Sequence, residues 1–88
     1  MNKPLQQQEL DNDLYRVLGQ VLKARRKAVK KTQLQIAQAV GLTKGSICGL
    51  EKGTQRIVLS TLVRIAAELN TSASKMIREI EKSLSTLR

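Results

Sequence analysis

Positive charge is concentrated in the middle of this chain, and the chemistry that it suits is the binding of phosphate. Residues 21–56 carry nine lysines and arginines and one acid, Glu51, whereas residues 1–20 carry two basic and three acidic side chains. The whole chain has a net charge of +9. A clustered positive field is the footprint of a nucleic-acid partner, although a basic surface can also serve solubility. The candidates for phosphate contacts are Lys23, Lys27, Lys30, Lys31, Lys52 and Arg56.

Other chemistries find little support in the residue types. The chain has no histidine and one cysteine, Cys48, so it lacks a nucleophile–base pair and a zinc-binding cluster, and it cannot form an intrachain disulfide. With one tyrosine and no phenylalanine or tryptophan, it also lacks a platform on which single-stranded bases stack. We therefore expect no enzyme, no cofactor and no metal site, and we interpret Glu51 as an ion-pair partner rather than a catalytic acid.

The elements that position the central charges are two short helices in residues 32–53. Thr32 and Gln35 form a T-x-x-Q capping box, and Gly41 is suited to end the first helix. Thr43 is a good N-cap for the second helix, and Gly53 is suited to end it. The apolar positions within the two helices follow helical spacing: Ile36, Ala37 and Val40, then Ile47 and Leu50. The pattern predicts two helices joined by a tight turn, which is the helix-turn-helix unit.

This order of residues resembles the phage-repressor, or Xre-like, helix-turn-helix family. The motif is Gln33-x-x-Ile36-Ala37-x-x-Val40-Gly41-Leu42-x-x-x-x-Ile47-x-x-Leu50-Glu51-x-Gly53. The match extends from about residue 18 to residue 77. The resemblance implies an all-α, compact five-helix lambda-repressor-like domain whose second motif helix enters the DNA major groove. The alternative is an ordinary helical hairpin within a helical bundle.

The resemblance also implies roles for individual residues. Gln33 carries over as a phosphate or base-edge contact, and Arg26 as the helix-1 arginine that pairs with Glu51, with Arg25 as the alternative if the register is shifted by one residue. The second motif helix departs from the family, because small or short side chains replace long polar ones. We expect Lys44 and Ser46 to reach bases or phosphates there, and two glycines to allow close approach to the groove. The predicted DNA-binding residues are Thr32, Gln33, Thr43, Lys44, Gly45, Ser46, Gly49, Lys52, Arg56, Lys30 and Lys31.

The remaining segments complete the predicted domain organisation. Residues 1–10 are expected to form a flexible N-terminal arm, and residues 11–88 the helix-turn-helix domain. Helix 1 should begin near Asp11–Asp13, with Gly19 placed where another helix packs closely. Helix 4 should end at Asn70, after starting without the Pro-Ser cap that is usual in the family. Helix 5, about residues 72–87, carries an apolar stripe that we expect to form a homodimer interface: Ile80, Leu84 and Leu87. The alternatives are that Leu84 and Leu87 belong to the final turn of an ordinary core helix, and that the dimer interface lies on helix 4.

The function predicted from these features is sequence-specific binding of double-stranded DNA. We expect a transcriptional regulator, a dimeric repressor on a palindromic operator that acts by occupying it, since no effector domain follows the motif. The alternative is a protein-interaction module, such as the antitoxin of a toxin–antitoxin pair, with DNA binding secondary. No apolar run is long enough to span a membrane and no signal peptide is recognisable, so we expect a cytoplasmic protein.

Overall fold

The computed structural model describes the backbone of residues 4–87 and the side chains of residues 7–87. Five helices follow one another along the chain: α1 (Pro4–Ala28), α2 (Gln33–Val40), α3 (Lys44–Lys52), α4 (Leu59–Glu68) and α5 (Ala73–Leu87). No strand occurs between residues 4 and 87. The expected all-α, five-helix architecture is confirmed, and within the described range no helix is both long and apolar enough to cross a membrane.

The ends of α2 and α3 form as their sequences predict. The Thr32 hydroxyl accepts the Gln35 backbone N–H, and the Gln35 side chain accepts the Thr32 backbone N–H, which completes the capping box. Thr43 caps α3 by accepting the Ser46 backbone N–H at 3.0 Å. Gly41 and Gly53 end the two helices with φ angles of 74° and 79°, in the left-handed region that costs a glycine nothing.

The core is aliphatic and draws on all five helices. Ala37, Ala66 and Met76 have no exposed surface, and Ile65 and Ile80 each have 1%. The other buried hydrophobic side chains are Val17, Leu18, Leu22, Ile36, Val40, Ile47, Leu50, Leu62 and Leu69. The helix α1 contacts both α3 and α5, and α4 contacts both α2 and α5. The two motif helices, α2 and α3, are therefore supported by α1, α4 and α5, which pack on one another through α5.

Close backbone contact fixes α3 against α1. A Cβ atom on Gly19 would lie 2.4 Å from the backbone oxygen of Glu51, and one on Gly53 would lie 2.8 Å from the Arg16 Cα. The expectation that Gly19 meets another helix is confirmed. Two glycines, one on each side of the crossing, hold the C-terminal end of α3 against α1.

The start of α1 differs from the expectation. The helix begins at Pro4 rather than near Asp11–Asp13, so residues 4–10 are its first turns and not a flexible arm. Proline is tolerated in the first turn because its missing N–H has no intrahelical acceptor there, and leucine and glutamine are good helix formers. The first three residues of the predicted arm lie outside the described part of the chain.

Two non-glycine residues take left-handed conformations at helix ends. Lys30, after α1, has φ 60°, and Asn70, after α4, has φ 58°. The stop predicted at Asn70 is confirmed. Lys30 adopts without a glycine a conformation in which glycine alone has no steric cost.

The predicted dimer stripe on α5 is wrong in part. Ile80 is 1% exposed and belongs to the core, and Leu84 is partly buried against that core. Leu87 is 49% exposed. The stripe is mainly the face that α5 uses to pack on α1 and α4, so Ile80 is not available to a second copy.

Candidate nucleic-acid interface

A shallow surface depression, here called the α2–α3 groove, lies where the end of α1 meets the N-termini of α2 and α3. Its lining includes Lys30, Thr32, Gln33 and Lys44. Lys31 also lines it, so the fold brings five of the predicted DNA-binding residues together from the loop before α2, from α2 and from α3. Arg26 and Leu34 complete the lining.

The first turn of α3 is open to solvent beside this groove. Lys44 and Gly45 are exposed, and the nearest atom that a Cβ on Gly45 would meet is Thr43 Oγ1 at 3.8 Å. The Thr43 hydroxyl donates to Ser46 Oγ at 3.0 Å, which holds Ser46 close to the helix cap. Because a helix N-terminus carries partial positive charge, this turn favours a phosphate or another anion.

A buried ion pair supports the groove from below. Arg26 Nε lies 2.6 Å from Glu51 Oε2, and Arg26 Nη2 donates to Glu51 Oε1 at 3.1 Å. The two side chains are only 12% and 4% exposed. Arg26 Nη1 also donates to the Lys31 backbone oxygen at 2.8 Å. The ion pair predicted from the family resemblance is present, and it ties α1 to α3 and to the loop before α2.

Gln33 joins the same network. Its amide Nε2 donates to Glu51 Oε1 at 2.9 Å, which fixes the side chain at the entrance of α2. An amide nitrogen carries two N–H groups, so one remains for a phosphate oxygen. Glu51 therefore orients the residue that the resemblance assigns to DNA.

The protonation of Glu51 follows from these contacts. Burial raises the pKa of its carboxyl group. Hydrogen bonds from Arg26 and Gln33, together with the charges of Arg26 and Lys23, lower that pKa by more than burial raises it. The net pKa lies below the ordinary value. The hydrogen bond from Glu51 in turn raises the pKa of Arg26. Both groups stay charged at neutral pH.

Three of the predicted phosphate contacts lie elsewhere or are already engaged. The Lys31 ammonium group donates to the backbone oxygen of Glu68 at 3.0 Å and lies 3.3 Å from its carboxylate, so it closes the C-terminal end of α4. The Arg56 guanidinium lies 4.9 Å from the Tyr15 ring centre and 3.6 Å from the Asp11 carboxylate. Lys52 is exposed in the last turn of α3, at the opposite end from Lys44.

Gly49 is not available to DNA, which corrects the prediction for that residue. It is buried, and a Cβ there would lie 2.8 Å from Gln55 Cγ. The missing side chain makes room for Gln55 rather than for a base pair. Gln55 was not singled out from the sequence, where the glycine itself was the only sign of a close neighbour.

A model of the helix-turn-helix family matches residues 22–76 of this chain. The chain belongs to the helix-turn-helix family. The match contains α2, α3 and α4 and the parts of α1 and α5 that pack on them, so the Xre-like resemblance is confirmed. A comparison with curated protein sequences gives no match.

Solved structures with the same helix-turn-helix fold include a gene regulator and a restriction-modification controller protein. The clp gene regulator ClgR from Corynebacterium glutamicum aligns with a TM-score of 0.80 and 23% identity, over 84% of this chain and 79% of that one. The restriction-modification controller protein C.AhdI from Aeromonas hydrophila aligns with a TM-score of 0.67 and 26% identity, over 73% and 96% of the two chains.

One enzyme also contains a similar region. Hydroxypropylphosphonic acid epoxidase from S. wedmorenis aligns with a TM-score of 0.65 and 30% identity, over 70% of this chain but only 33% of the enzyme. The likeness is thus to a minor part of that protein. The family and the two regulators point to a DNA-binding protein of the transcription-regulator type.

Proposed function

We propose that this helix-turn-helix protein is a sequence-specific transcriptional repressor that binds a palindromic operator in double-stranded DNA as a homodimer. The observation that carries the proposal is the convergence of Lys30, Thr32, Gln33 and Lys44 beside the open first turn of α3. Repression follows from occupancy of the operator, and the site of action is the cytoplasm.

In this proposal α3 enters the major groove with its N-terminal turn towards the bases. Lys44 suits the O6 and N7 acceptors of guanine, and Ser46 offers a hydroxyl group. Thr43 places the α3 N-terminus against a phosphate, while Thr32 and Gln33 do the same for α2. Because α3 exposes few long side chains in its first turns, DNA shape supplies much of the sequence preference.

The exposed apolar surface that supports a homodimer lies at the start of α4 and along it. Val58, Leu59 and Val63 are 65%, 73% and 51% exposed, and they follow directly on the loop after α3. Val58 occupies the N-cap position of α4 without a side-chain cap, where a polar residue would stabilise the helix by about 1 kcal/mol. Residues 57–63 carry no charge, which limits repulsion between two chains of net charge +9. We assign this surface to a second copy, with the α3 helices then reading adjacent half-sites.

The function is tested by selecting bound duplexes from a random double-stranded DNA library. The affinity for the selected sequence is then measured at increasing salt concentrations. We expect a palindrome with half-sites about one helical turn apart. The logarithm of the affinity should fall linearly with the logarithm of the salt concentration, by about 0.9 per neutralised phosphate. Failure to enrich any duplex would reject the proposal, and co-purification of a tight protein partner would favour the interaction-module alternative.

The dimer is tested by light scattering on two matched variants. Leu59→Glu should give a monomer with unchanged helical content, because it places a charge in the proposed interface. Leu87→Glu, at another exposed leucine, should leave the dimer intact. A monomer from Leu87→Glu alone would return the interface to the end of α5.

A further inference from the structure

A second basic surface lies on α5, away from the first turn of α3. Lys75, Arg78 and Lys82 are exposed and line one shallow depression together with Arg25 and Glu79. We call these three exposed cations the α5 basic stripe. No step in the proposed reading of the operator uses them.

The one acid in this depression is already engaged. Arg25 Nε donates to Glu79 Oε1 at 3.0 Å, and Arg25 Nη2 donates to Glu79 Oε2. The hydrogen bonds from Arg25 hold the pKa of Glu79 below its ordinary value, so the pair is neutral as a whole. The surface therefore presents three cations to a ligand.

The spacing of the stripe suits a nucleic-acid strand. Lys75 and Lys82 are seven residues apart, which is about 10.5 Å along a helix. Phosphates follow one another at about 3.4 Å along the axis of each DNA strand, so three steps cover nearly the same length. Among the large apolar residues of the same helix, Met76 and Ile80 are buried, and the exposed Ile77 and Leu87 do not line this depression, so the depression itself has none to insert into a lipid surface.

The stripe adjoins the α2–α3 groove around the end of α1. Arg25 lines the depression on α5, and its neighbour Arg26 lines the groove. The helices α1 and α5 run antiparallel, since Arg25 meets Glu79 while Val17 shares a depression with Ser83. Lys75 thus lies towards the same end of α1 as Lys30.

We propose that the α5 basic stripe binds the phosphate backbone of the same DNA duplex, outside the base pairs that α3 reads. The proposal rests on the function proposed above, because it extends the contact surface of a DNA-bound protein. It predicts that duplex beyond the selected operator adds affinity without adding sequence preference.

The test compares two duplexes and two charge-matched variants. One duplex holds only the selected operator, and the other adds ten base pairs of arbitrary sequence on each side. Arg78→Gln/Lys82→Gln removes two charges from the stripe. Arg16→Gln/Arg64→Gln removes two exposed charges that line neither the stripe nor the groove. Affinity is measured by fluorescence anisotropy from 50 to 300 mM salt.

The wild-type protein should bind the longer duplex more tightly and with the steeper salt dependence. Arg78→Gln/Lys82→Gln should remove up to about 8-fold in affinity per lost contact at 0.1 M salt, and reduce the slope by about 0.9 per contact, on the longer duplex only. The control variant should bind both duplexes with nearly the wild-type affinity.

Three outcomes would overturn the proposal. They are an equal loss of affinity for both duplexes, an equal loss of affinity in the control variant, or no loss of affinity at all. The last outcome would instead favour an acidic protein as the partner of the stripe. Each still allows the wild-type protein to bind the operator duplex. Failure of the wild-type protein to bind either duplex would instead reject the proposed function.

Discussion

Replacing Gly45 by alanine separates the stability of α3 from its fit to DNA. In the free protein the added methyl group meets nothing closer than Thr43 Oγ1 at 3.8 Å, and the backbone of Gly45 is right-handed helical, so alanine causes no strain. Alanine is favoured over glycine in a helix by about 1 kcal/mol. In a domain of this size that gain raises the melting temperature by about 4–8 °C.

On DNA the same methyl group should be harmful. Gly45 is exposed in the turn that is proposed to enter the major groove, and an added methyl group in a close-packed contact costs about 1–3 kcal/mol. That range corresponds to a loss of about 5- to 150-fold in affinity for the operator. The expected signature is a higher melting temperature together with weaker binding, measured by circular dichroism and fluorescence anisotropy.

Gly49→Ala is the matched control, because the two residues lie four positions apart on the same helix. Its methyl group would meet Gln55 and not DNA, so operator affinity should stay the same. The displaced Gln55 side chain should offset part of the gain in helix stability. Equal or tighter operator binding by Gly45→Ala would refute the close approach of α3 to the groove.

Two further predictions concern the network beneath the groove. Gln33→Ala should weaken operator binding by about 2- to 10-fold, the value of one hydrogen bond, with little change in melting temperature, because Glu51 keeps both contacts to Arg26; unchanged affinity would remove Gln33 from the interface. Glu51→Gln should cost about 3 kcal/mol at pH 7, because it leaves the buried Arg26 without its counter-charge. The folded pKa of Glu51 is depressed, so its contribution to stability is fully present above the pKa of an unfolded glutamate and is lost as pH falls through the folded pKa. Urea unfolding from pH 7 to pH 3 should therefore show a smaller loss for Glu51→Gln than for the wild-type protein, and parallel losses would contradict the assignment.

Local signals made the motif predictable. A helix cap or stop depends on residues within one helical turn, so the local sequence is enough to predict it. This applies to the caps at Thr32 and Thr43 and to the stops at Gly41 and Gly53. The contact of Gly19 with α3 and the Arg26–Glu51 pair came from the family pattern, which supplies the long-range partner that a single segment lacks.

The misplaced residues share a dependence on distant partners. Lys31 meets Glu68, which is 37 positions later, and a long flexible side chain gives no local sign of that choice. Ile80 has the spacing of both a core face and a dimer stripe, and only the packing of α5 against α1 and α4 distinguishes them. The start of α1 was missed because a polar stretch with a proline is compatible with either an arm or a first helical turn.

The backbone contact at Gly19 and Gly53 has a kinetic consequence. The C-terminal end of α3 is packed against the α1 backbone, and its N-terminal end is capped by Thr43. The helix α3 is therefore already ordered before it meets DNA. Binding should then resemble rigid-body docking, with little change in backbone structure between the free and bound forms. Encounter is steered by charge, so the association rate should be high and strongly dependent on salt, whereas differences between operators should appear in how long each complex lasts.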